Sequence, residues 1–367
     1  MKQGWEIKKL GEVCDFQGGS QPPKEEWIDE PREGYVRMLQ IRDFTQSRSF
    51  DIEYVKESNR LKYCNEDDVL LGRYGASVGK VLTGLAGAYN VAIMKTMPNK
   101  DLLNKSYFKY FLESPSFQVF LQQASTMRAA QAGFSKEDIQ DFTIPVPSIE
   151  EQERIVEELD CLSGVIEKKK QQLKELDALA ESLFYTMFGN PITNEKGWEV
   201  IPLKQAALLK AGKAIKANEL SEDSDLGLYP CYGGNGIRGY INKKSHNGQF
   251  PIIGRQGALC GNVVFAQGEF YATEHAVVCN NIIESFNPLW LYYALKYNNL
   301  NRYAQGVAQP GISVNIINEM PLIYPPLILQ QEFADKIGAI EKQKELIKES
   351  IKETETLFNA RMDYYFN

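Results

Sequence analysis

The sequence predicts an α+β protein in which two mixed α/β domains, arranged as a tandem repeat, are separated by long coiled-coil helices. Three features of its 367 residues lead to this fold class. Two stretches repeat apolar residues at heptad spacing, short β-branched runs alternate with glycine-rich loops, and several motifs occur twice in the same order. The length also exceeds that of one ordinary hydrophobic core, so more than one domain is expected.

Residues 149–187 have the pattern of one long amphipathic helix. Apolar residues recur at alternating steps of four and three, which is the spacing of a coiled-coil seam. The seam consists of Ile155, Leu159, Leu162, Ile166, Leu173, Leu176, Ala180, Leu183 and Met187, and Lys169 is the one polar residue on it. Ser148 is placed to cap this helix, and Gly189 followed by Pro191 ends it. A single helix with such a seam needs a partner.

The partner helix lies near the end of the same chain. Phe333, Ile337, Ile340, Ile347, Ile351 and Phe358 repeat the spacing, and Lys344 and Thr354 interrupt it. Residues 324–332, before this helix, mirror residues 144–153 before the first one. We therefore predict a first domain at residues 1–147, a first long helix at 148–190, a second domain at 191–326 and a second long helix at 327–367.

Motifs outside the helices also recur in order, which indicates an internal duplication. Gly4-Trp5 corresponds to Gly197-Trp198, 193 residues later (198 − 5), and Gly72-Arg73-Tyr74-Gly75 corresponds to Gly254-Arg255-Gln256-Gly257, 182 residues later (255 − 73). Residues 131–135 correspond to residues 309–313, 178 residues later (309 − 131). Because the offset shrinks along the chain, the second copy must be the shorter one.

Within each domain we expect short strands joined by glycine-rich loops and followed by helices. The predicted strands are residues 35–40, 68–71, 91–94, 250–253 and 276–278, and the predicted helices are residues 107–123 and 288–297. Each half is thus a mixed domain that leads through prolines into a long helix.

Composition excludes several classes of protein. Hydrophobic residues make up 43% of the chain and charged residues 24%, as in ordinary soluble domains. No apolar run is long enough to span a membrane and no signal-peptide pattern is present, which favours a cytoplasmic protein. The 6 cysteines form no Cys-x-x-Cys pair and there are only 2 histidines, so neither a disulfide scaffold nor a metal site is expected.

The net charge of −7 is unevenly distributed. Residues 1–145 carry −1, residues 146–196 carry −5, residues 197–325 carry +1 and residues 326–367 carry −2. The acidic excess therefore lies on the long helices, and the two domains are nearly neutral. Any contact with nucleic acid would depend on local basic clusters.

Two glycine-rich motifs have features of nucleotide-binding loops but lack their mechanism. Gly234-Asn235-Gly236-Ile237-Arg238-Gly239 has dinucleotide spacing, yet Tyr240-Ile241 favours a strand after it, not the helix that would hold a pyrophosphate. We predict a hairpin turn there. Residues 75–80 are too closely spaced for a P-loop, and Val81 replaces the magnesium-binding hydroxyl residue. Because no nucleophile has a credible base, the chain is not expected to be an enzyme or to bind a cofactor or a metal.

The arginines of the two Gly-Arg motifs are the strongest candidates for DNA contacts. An arginine between glycines can bring its forked guanidinium close to a base edge or a phosphate, although a structural arginine stacked in a turn has the same pattern. Arg, Asn and Gln form two-point hydrogen bonds with bases, and Lys mainly contacts phosphates. The candidate DNA-binding residues are Gln21, Lys24, Arg37, Gln40, Arg42, Arg73, Tyr74 and Lys80 in the first half and Lys213, Tyr232, Asn235, Arg238, Lys243, Arg255 and Gln256 in the second.

Together these features resemble the specificity subunit of type I restriction-modification systems. The resemblance covers nearly the whole chain and rests on the Gly-Trp openings, the Gly-Arg motifs, residues 144–153 and the long helices. It implies two target-recognition domains, related by a pseudo-twofold, which antiparallel helices hold apart. The second helix entry departs from the family pattern, because Leu329-Gln330 stand where the first has Glu150-Glu151.

The resemblance also implies partners and a division of labour. Each domain would read one half of a bipartite, asymmetric double-stranded DNA target, and the helices would act as a ruler that sets the spacer. Two modification subunits would methylate adenine with S-adenosylmethionine, and restriction subunits would translocate and cut. This chain would supply specificity without a catalytic residue.

Other function classes remain open on the sequence. One is a non-enzymatic coiled-coil scaffold, or the recognition subunit of another DNA-modification system; a nucleotide-binding enzyme is the other. Thermal stabilisation by nucleotides or S-adenosylmethionine would favour the enzyme. A chain that binds no DNA even with a methyltransferase partner would favour the scaffold.

We expect the isolated chain to bind double-stranded DNA weakly, with a Kd on the order of 1 μM or weaker at physiological salt, because neutral domains release few counterions. Addition of the modification subunits should tighten binding. Fluorescence anisotropy with a labelled duplex measures both cases. Nanomolar binding by the chain alone would contradict this expectation.

Overall fold

The computed structural model describes residues 4–46, 51–126, 133–222, 224, 227–257, 259–306 and 310–367. Gln131, Ala132 and Gln309 of the repeated glutamine motif, and Ala258 after the second Gly-Arg motif, lie outside the described residues. The chain forms two compact units: unit 1 comprises Met1–Lys170 and Glu349–Asn367, and unit 2 comprises Gln171–Lys348. Each long helix is thus shared between the units, and the four predicted segment boundaries stay a prediction.

Unit 1 is built on two four-stranded sheets. Its strands are β1 (Glu6–Lys9), β2 (Cys14–Gly18), β3 (Tyr35–Leu39), β4 (Tyr54–Lys56), β5 (Tyr63–Cys64), β6 (Leu70–Gly72), β7 (Val81–Leu82), β8 (Gly87–Tyr89), β9 (Ile93–Pro98) and β10 (Thr143–Val146). The strand orders are β2-β9-β6-β7 and β4-β3-β8-β5, and β1 pairs with β10 as an antiparallel ribbon. The predicted strands at residues 35–40, 68–71 and 91–94 overlap β3, β6 and β9.

The helices of unit 1 correct one prediction. They are α1 (Leu10–Val13), α2 (Ile41–Thr45), α3 (Lys105–Glu113), α4 (Pro115–Thr126) and α5 (Lys136–Ile139), together with parts of α6 (Ile149–Phe188) and α9 (Leu327–Phe366). The single helix predicted at residues 107–123 is wrong, because α3 ends before Ser114 and α4 begins at Pro115. Proline favours an extended conformation in the residue before it, and Ser114 has φ −66° and ψ 145°.

Unit 2 contains one six-stranded sheet with the order β12-β17-β15-β16-β13-β14. Its strands are β11 (Glu199–Pro202), β12 (Leu208–Ala211), β13 (Tyr229–Gly233), β14 (Gly236–Ile241), β15 (His246–Gly254), β16 (Val263–Ala272), β17 (Ala276–Asn280) and β18 (Pro321–Tyr324), and its helices are α7 (Pro288–Tyr297) and α8 (Val314–Asn318). The ribbon β11–β18 corresponds to β1–β10 of unit 1. The predicted strands at residues 250–253 and 276–278 lie in β15 and β17, and the helix predicted at residues 288–297 is confirmed as α7.

The two long helices are confirmed, and each is 40 residues long. Ile155 and Leu159 are fully buried in unit 1, as are Phe333 and Ile337 in unit 2. Most middle seam positions are only partly buried, namely Leu162, Ile166, Leu173, Leu176, Ile340 and Ile347. The end of α6 differs from the predicted seam, because Phe184 and Phe188 are fully buried and Leu183 and Met187 are not. A straight helix has 3.6 residues per turn, so its apolar face drifts from a strict heptad. The core of unit 2 buries the drifted face.

Polar residues on the seam are paired within each unit. In unit 1, Lys169 Nζ donates to Ser350 Oγ at 2.5 Å and to Thr354 Oγ1 at 3.2 Å, so two of the predicted interruptions meet. In unit 2, Lys344 Nζ lies 2.7 Å from Asp177 Oδ1 and 2.8 Å from Glu341 Oε1. Burial acts to lower the pKa of Lys344, but hydrogen bonds to these two carboxylates outweigh it and raise the pKa. In unit 1 Arg361 also donates to Glu158, and in unit 2 the ring of Phe333 lies 5.6 Å from that of Phe184, so α6 and α9 run antiparallel inside each unit.

A buried glutamine joins each domain to the start of its long helix. Gln152 Nε2 donates to the carbonyls of Leu102 at 2.8 Å and Pro147 at 2.9 Å, and Gln152 Oε1 accepts from the Asn104 N–H at 2.8 Å. Gln330 makes the equivalent bonds in unit 2, to Ser285 at 3.2 Å, Pro325 at 2.9 Å and Asn287 at 3.0 Å. Gln330 therefore corresponds to Gln152, and the pairing of Leu329-Gln330 with Glu150-Glu151 is wrong by one residue. The glutamine side chain sets the correspondence between the two helix starts, because both its amide nitrogen and its amide oxygen have hydrogen-bond partners in each unit.

We expect Gln152→Ala to lower the free energy of unfolding of unit 1 by about 3 kcal/mol, because three buried backbone groups lose their partner. Urea titration followed by tryptophan fluorescence measures the change. The matched control is Gln172→Ala, which truncates an exposed glutamine on the same helix and should change the stability by less than about 0.5 kcal/mol. Equal stabilities of the two variants would contradict the role of Gln152.

Candidate nucleic-acid interface

The two Gly-Arg motifs form loops with the same backbone hydrogen bonds; we call residues 72–81 and 254–263 the Gly-Arg loops. In unit 1 the Gly72 N–H donates to Lys80 O at 2.9 Å and the Gly79 N–H donates to Gly72 O at 3.0 Å. In unit 2 the Gly254 N–H donates to Asn262 O at 2.8 Å and the Gly261 N–H donates to Gly254 O at 2.7 Å. Gly79 and Gly261 have φ of +81° and +86°, which glycine adopts most readily. The sequence repeat is thus also a structural repeat.

The two loop arginines differ in their side-chain contacts. Arg73 Nε donates to Phe134 O at 3.3 Å, and its guanidinium lies 5.0 Å from the centre of the Tyr74 ring. Arg73 therefore makes the contacts of a structural arginine. In unit 2, five buried side-chain polar atoms have no hydrogen-bond partner among the described residues. One is Trp290 Nε1, and the other four are Arg255 Nε, Thr273 Oγ1, Glu274 Oε2 and His275 Nδ1. These four come from the Gly-Arg loop and from the turn between β16 and β17, and buried polar atoms of this kind indicate a place for water or a polar ligand.

Four other candidates of unit 1, Lys24, Arg37, Gln40 and Arg42, belong to one charged cluster. Lys24, Gln40 and Arg42 all donate to the carboxylate of Glu53, and Arg37 Nη2 lies 2.6 Å from Asp43 Oδ1. Burial acts to raise the pKa of Glu53, but hydrogen bonds from Lys24 and Gln40 outweigh it, so this pKa lies below its ordinary value. The sequence analysis identified the hydrogen-bond donors of this cluster but not the two acceptors, Glu53 and Asp43.

The remaining unit 1 candidates lie around this cluster in different ways. Lys80 is exposed and lines a cavity of about 380 Å³ together with Phe44 and Thr45 of α2, the helix that carries Arg42. Gln21 is exposed in the segment before Lys24. Lys80 is thus connected with α2 through a shared cavity. The described contacts show no hydrogen bond from Gln21 to the cluster.

The predicted hairpin in unit 2 is confirmed. β13 and β14 are antiparallel, and Gly234-Asn235 is the turn between them, so the motif at residues 234–239 has no helix to hold a pyrophosphate. A Cβ on Gly254 would lie 1.7 Å from Gly234 O, so the hairpin tip rests directly on the Gly-Arg loop. Asn262 Nδ2 donates to Asn235 Oδ1 at 2.9 Å across this contact. Tyr232 and Arg238 flank the tip, and Gln256 follows Arg255 in the loop.

Unit 2 also has a basic cleft, with a volume of about 470 Å³. It is lined by four lysines, Lys210, Lys213, Lys243 and Lys244, and by Ser245, His246 and Tyr271. Lys243 Nζ lies 2.6 Å from Glu219, which raises the pKa of Lys243. Burial and the charge of Lys210 lower the pKa of His246, while a hydrogen bond with Asn280 acts to raise it. Lys244 is likewise paired with Glu269, and the described residues show no ion pair for Lys210 or Lys213, so these two lysines make the cleft suited to phosphate groups of DNA.

Sequence reasoning identified part of this cleft. Lys213 and Lys243 were predicted, and Lys210 and His246 were not among the candidates. The lysines come from β12, from the loop after it and from the segment before β15, and the sheet places β17 between β12 and β15. No local pattern in the sequence brings these segments together.

Three buried cysteines, Cys14, Cys64 and Cys279, are poor nucleophiles. Burial raises the pKa of Cys14 and Cys279 to about 12, so their thiols stay protonated at neutral pH. Burial also raises the pKa of Cys64 to about 11. Among the described residues, no three histidine, cysteine, aspartate or glutamate side chains are grouped so that they could hold a metal ion.

Comparison with known proteins identifies relatives in one family. A sequence model described as "Type I restriction modification DNA specificity domain" matches residues 2–178 and 195–356. The type I restriction enzyme EcoprrI specificity subunit of Escherichia coli is 48% identical over 120 residues, which are 32% of this chain and 30% of that protein. The MjaVIII specificity subunit of Methanocaldococcus jannaschii is 24% identical over 236 residues, 60% of this chain and 53% of that protein. In these two alignments the chain spans from about a third to about half of the relative's length.

Solved structures show the same fold. The S subunit of a type I restriction-modification system from M. genitalium superimposes with a TM-score of 0.63 at 15% identity, over 99% of this chain and 96% of that chain. A chain from a study of complex assembly and conformational transition of the type I system gives a TM-score of 0.59 at 15% identity, over 100% and 98%. The predicted fold of two mixed domains in tandem with a long helix between them is confirmed.

We expect Lys210→Ala combined with Lys213→Ala to weaken the salt dependence of DNA binding. The slope of log K against log salt should fall by about two units, because each neutralised phosphate contributes roughly 0.9 to it. Anisotropy titrations at several salt concentrations measure the slope. Lys336→Ala, an exposed lysine of α9 in the same unit, is the control and should leave the slope unchanged. An unchanged slope in the double variant would show that phosphates do not enter the cleft.

Proposed function

Because the chain belongs to the family of type I restriction-modification DNA specificity domains, we propose that it selects the DNA sequence on which a type I restriction-modification complex acts. Unit 1 and unit 2 would each read one half of a bipartite, asymmetric target. The chain would contribute specificity, and catalysis would belong to its partners.

The observation that carries this proposal is the repeated Gly-Arg loop. Its backbone bonds are the same in both units, while the side chains beside it differ. In unit 1 the loop carries Lys80, which shares a cavity with α2, and in unit 2 the loop contacts the Gly234-Asn235 tip and carries Arg255 Nε, which is unpartnered in the described part of the chain. Two surfaces with the same backbone and different hydrogen-bonding groups are suited to two different half-sites.

The long helices support the proposed ruler and the proposed partners. At about 1.5 Å per residue, a helix of 40 residues is roughly 60 Å long. Leu179, Leu346 and Leu357 on these helices are at least half exposed, so the pairing of α6 with α9 leaves apolar surface for protein partners. We propose two modification subunits and restriction subunits as these partners, with S-adenosylmethionine bound by the modification subunits and not by this chain.

The test is the methylation pattern in cells that express this chain with its modification subunits. Sequencing that detects methylated adenine should reveal a two-part motif with a fixed spacer. Insertion of seven residues after Lys170 and seven after Lys348 keeps both seams in phase and adds about 10 Å, so the spacer should grow by roughly three base pairs with unchanged half-sites.

The control carries the same seven residues in the loop between Asn190 and Gly197, which lengthens the chain without lengthening a helix. Its spacer should equal that of the original chain. Changed half-sites with a constant spacer would contradict the ruler, and methylation without any two-part motif would contradict the proposed function.

A further inference from the structure

An acidic side chain lies at the centre of the candidate DNA contacts of unit 1. Glu53 Oε2 accepts from Gln40 Nε2 at 2.6 Å and from Arg42 Nη2 at 2.5 Å, and Glu53 Oε1 accepts from Lys24 Nζ. The Glu53 side chain is 17% exposed. A carboxylate at this position repels DNA phosphates, so its presence among three donors calls for a function of its own.

Glu53 determines the orientation of the Gln40 amide. An ionised carboxylate only accepts hydrogen bonds, so it can face only the NH₂ group of Gln40. The carbonyl oxygen of the amide then points to the other side. A glutamine that reads adenine with two bonds uses both its NH₂ group and its oxygen. In this arrangement Glu53 occupies one of the two N–H donors of Gln40 and leaves the carbonyl oxygen without a bond to the carboxylate.

The backbone of Gln40 is held as well. Asp43 Oδ2 accepts from the Gln40 N–H at 2.8 Å, while Asp43 Oδ1 binds Arg37, and the Asp43 side chain is 3% exposed. Two carboxylates therefore fix the position of Gln40 through its main chain and its side chain. Such preorganisation reduces the entropy lost on binding.

We propose that Glu53 is a specificity-determining positioning residue, which turns Gln40 so that its oxygen accepts from the amino group of adenine or cytosine in the first half-site. This inference rests on the proposed function. Arg42 and Lys24, which share the carboxylate, are held beside Gln40 for contacts with a neighbouring base or phosphate. Glu53 acts through these residues and does not itself contact the DNA.

Unit 2 provides the internal comparison. Its strand β13 pairs in parallel with β16, as β3 pairs with β8 in unit 1, and the tip after β13 carries Asn235. Asn235 accepts from Asn262 through Oδ1, and no carboxylate holds it among the described contacts. A change at Glu53 should therefore alter the first half-site and leave the second as it was.

The test compares Glu53→Gln with Glu57→Gln in the complete chain, expressed with its modification subunits. Both variants remove one negative charge from unit 1, and Glu57 is exposed and lies outside the cluster. In Glu53→Gln the new amide can donate or accept, so Gln40 can turn over. We expect discrimination at one position of the first half-site to fall about tenfold, with the second half-site unchanged and Glu57→Gln the same as the original chain.

Three outcomes have distinct meanings. An unchanged first half-site in Glu53→Gln, with the two-part motif of the original chain intact, would overturn this inference alone. Equal loss of both half-sites would also overturn it, because the effect would then be on folding or assembly. Absence of a two-part motif in the original chain would overturn the proposed function together with this inference.

NMR spectroscopy of the chain without DNA tests the contact between Glu53 and Gln40 directly. The side-chain NH₂ resonances of Gln40 should shift in Glu53→Gln and stay in place in Glu57→Gln, because only the first variant replaces the acceptor. Retained resonances in Glu53→Gln would show that Glu53 does not hold the amide.

Discussion

The burial of aromatic residues of the long helices in the domain cores is the interaction on which the rest of the structure depends. In unit 1 the ring of Phe366, the last residue of α9, lies 5.2 Å from that of Tyr107. In unit 2 the ring of Phe188, the last residue of α6, lies 5.7 Å from that of Trp290. Each core therefore includes residues that are far away in sequence. The helices are part of the domains, and the Gly-Trp motifs confirm this: Trp5 stacks on Tyr365, and Trp198 donates to Phe188 O.

Polar residues on the long helices determine the register in which α6 pairs with α9. An unpaired ammonium group between two helices would cost several kcal/mol, so a register that leaves Lys169 or Lys344 without acceptors is disfavoured. Ser350 and Thr354 serve Lys169, and Asp177 and Glu341 serve Lys344. Apolar seam residues would tolerate slippage by a heptad. The polar pairs distinguish one register from the others.

In both units the backbone of the Gly-Arg loop is the same, and the polar side chains of the domain differ. The Gly-Arg loops are closed by main-chain bonds and by glycines at positive φ, which leave the surrounding side chains free to differ. Unit 1 has a carboxylate cluster in the same domain as its loop, and unit 2 has a hairpin tip on its loop and a lysine-lined cleft in the same domain. Such a division suits the proposed reading of two different half-sites, because one scaffold can then carry two sets of hydrogen-bonding groups.

The sequence by itself determined the long helices, the internal repeat, α7 and the hairpin at Gly234-Asn235, because helical periodicity and turn chemistry are local properties of the chain. It also identified most hydrogen-bond donors of the candidate interface.

Only the tertiary structure decided which of these donors are bound within the protein and which acceptors bind them. Glu53 meets Gln40 through the pairing of β3 with β4, Lys210 and Lys244 meet through β12 and β15 of one sheet, and Gln152 meets Leu102 across 50 positions. Phe184 and Phe188 replaced the predicted Leu183 and Met187 because the core of unit 2 decides which face of α6 is buried. These contacts depend on strand pairing and core packing between distant segments, which spacing along the chain does not encode.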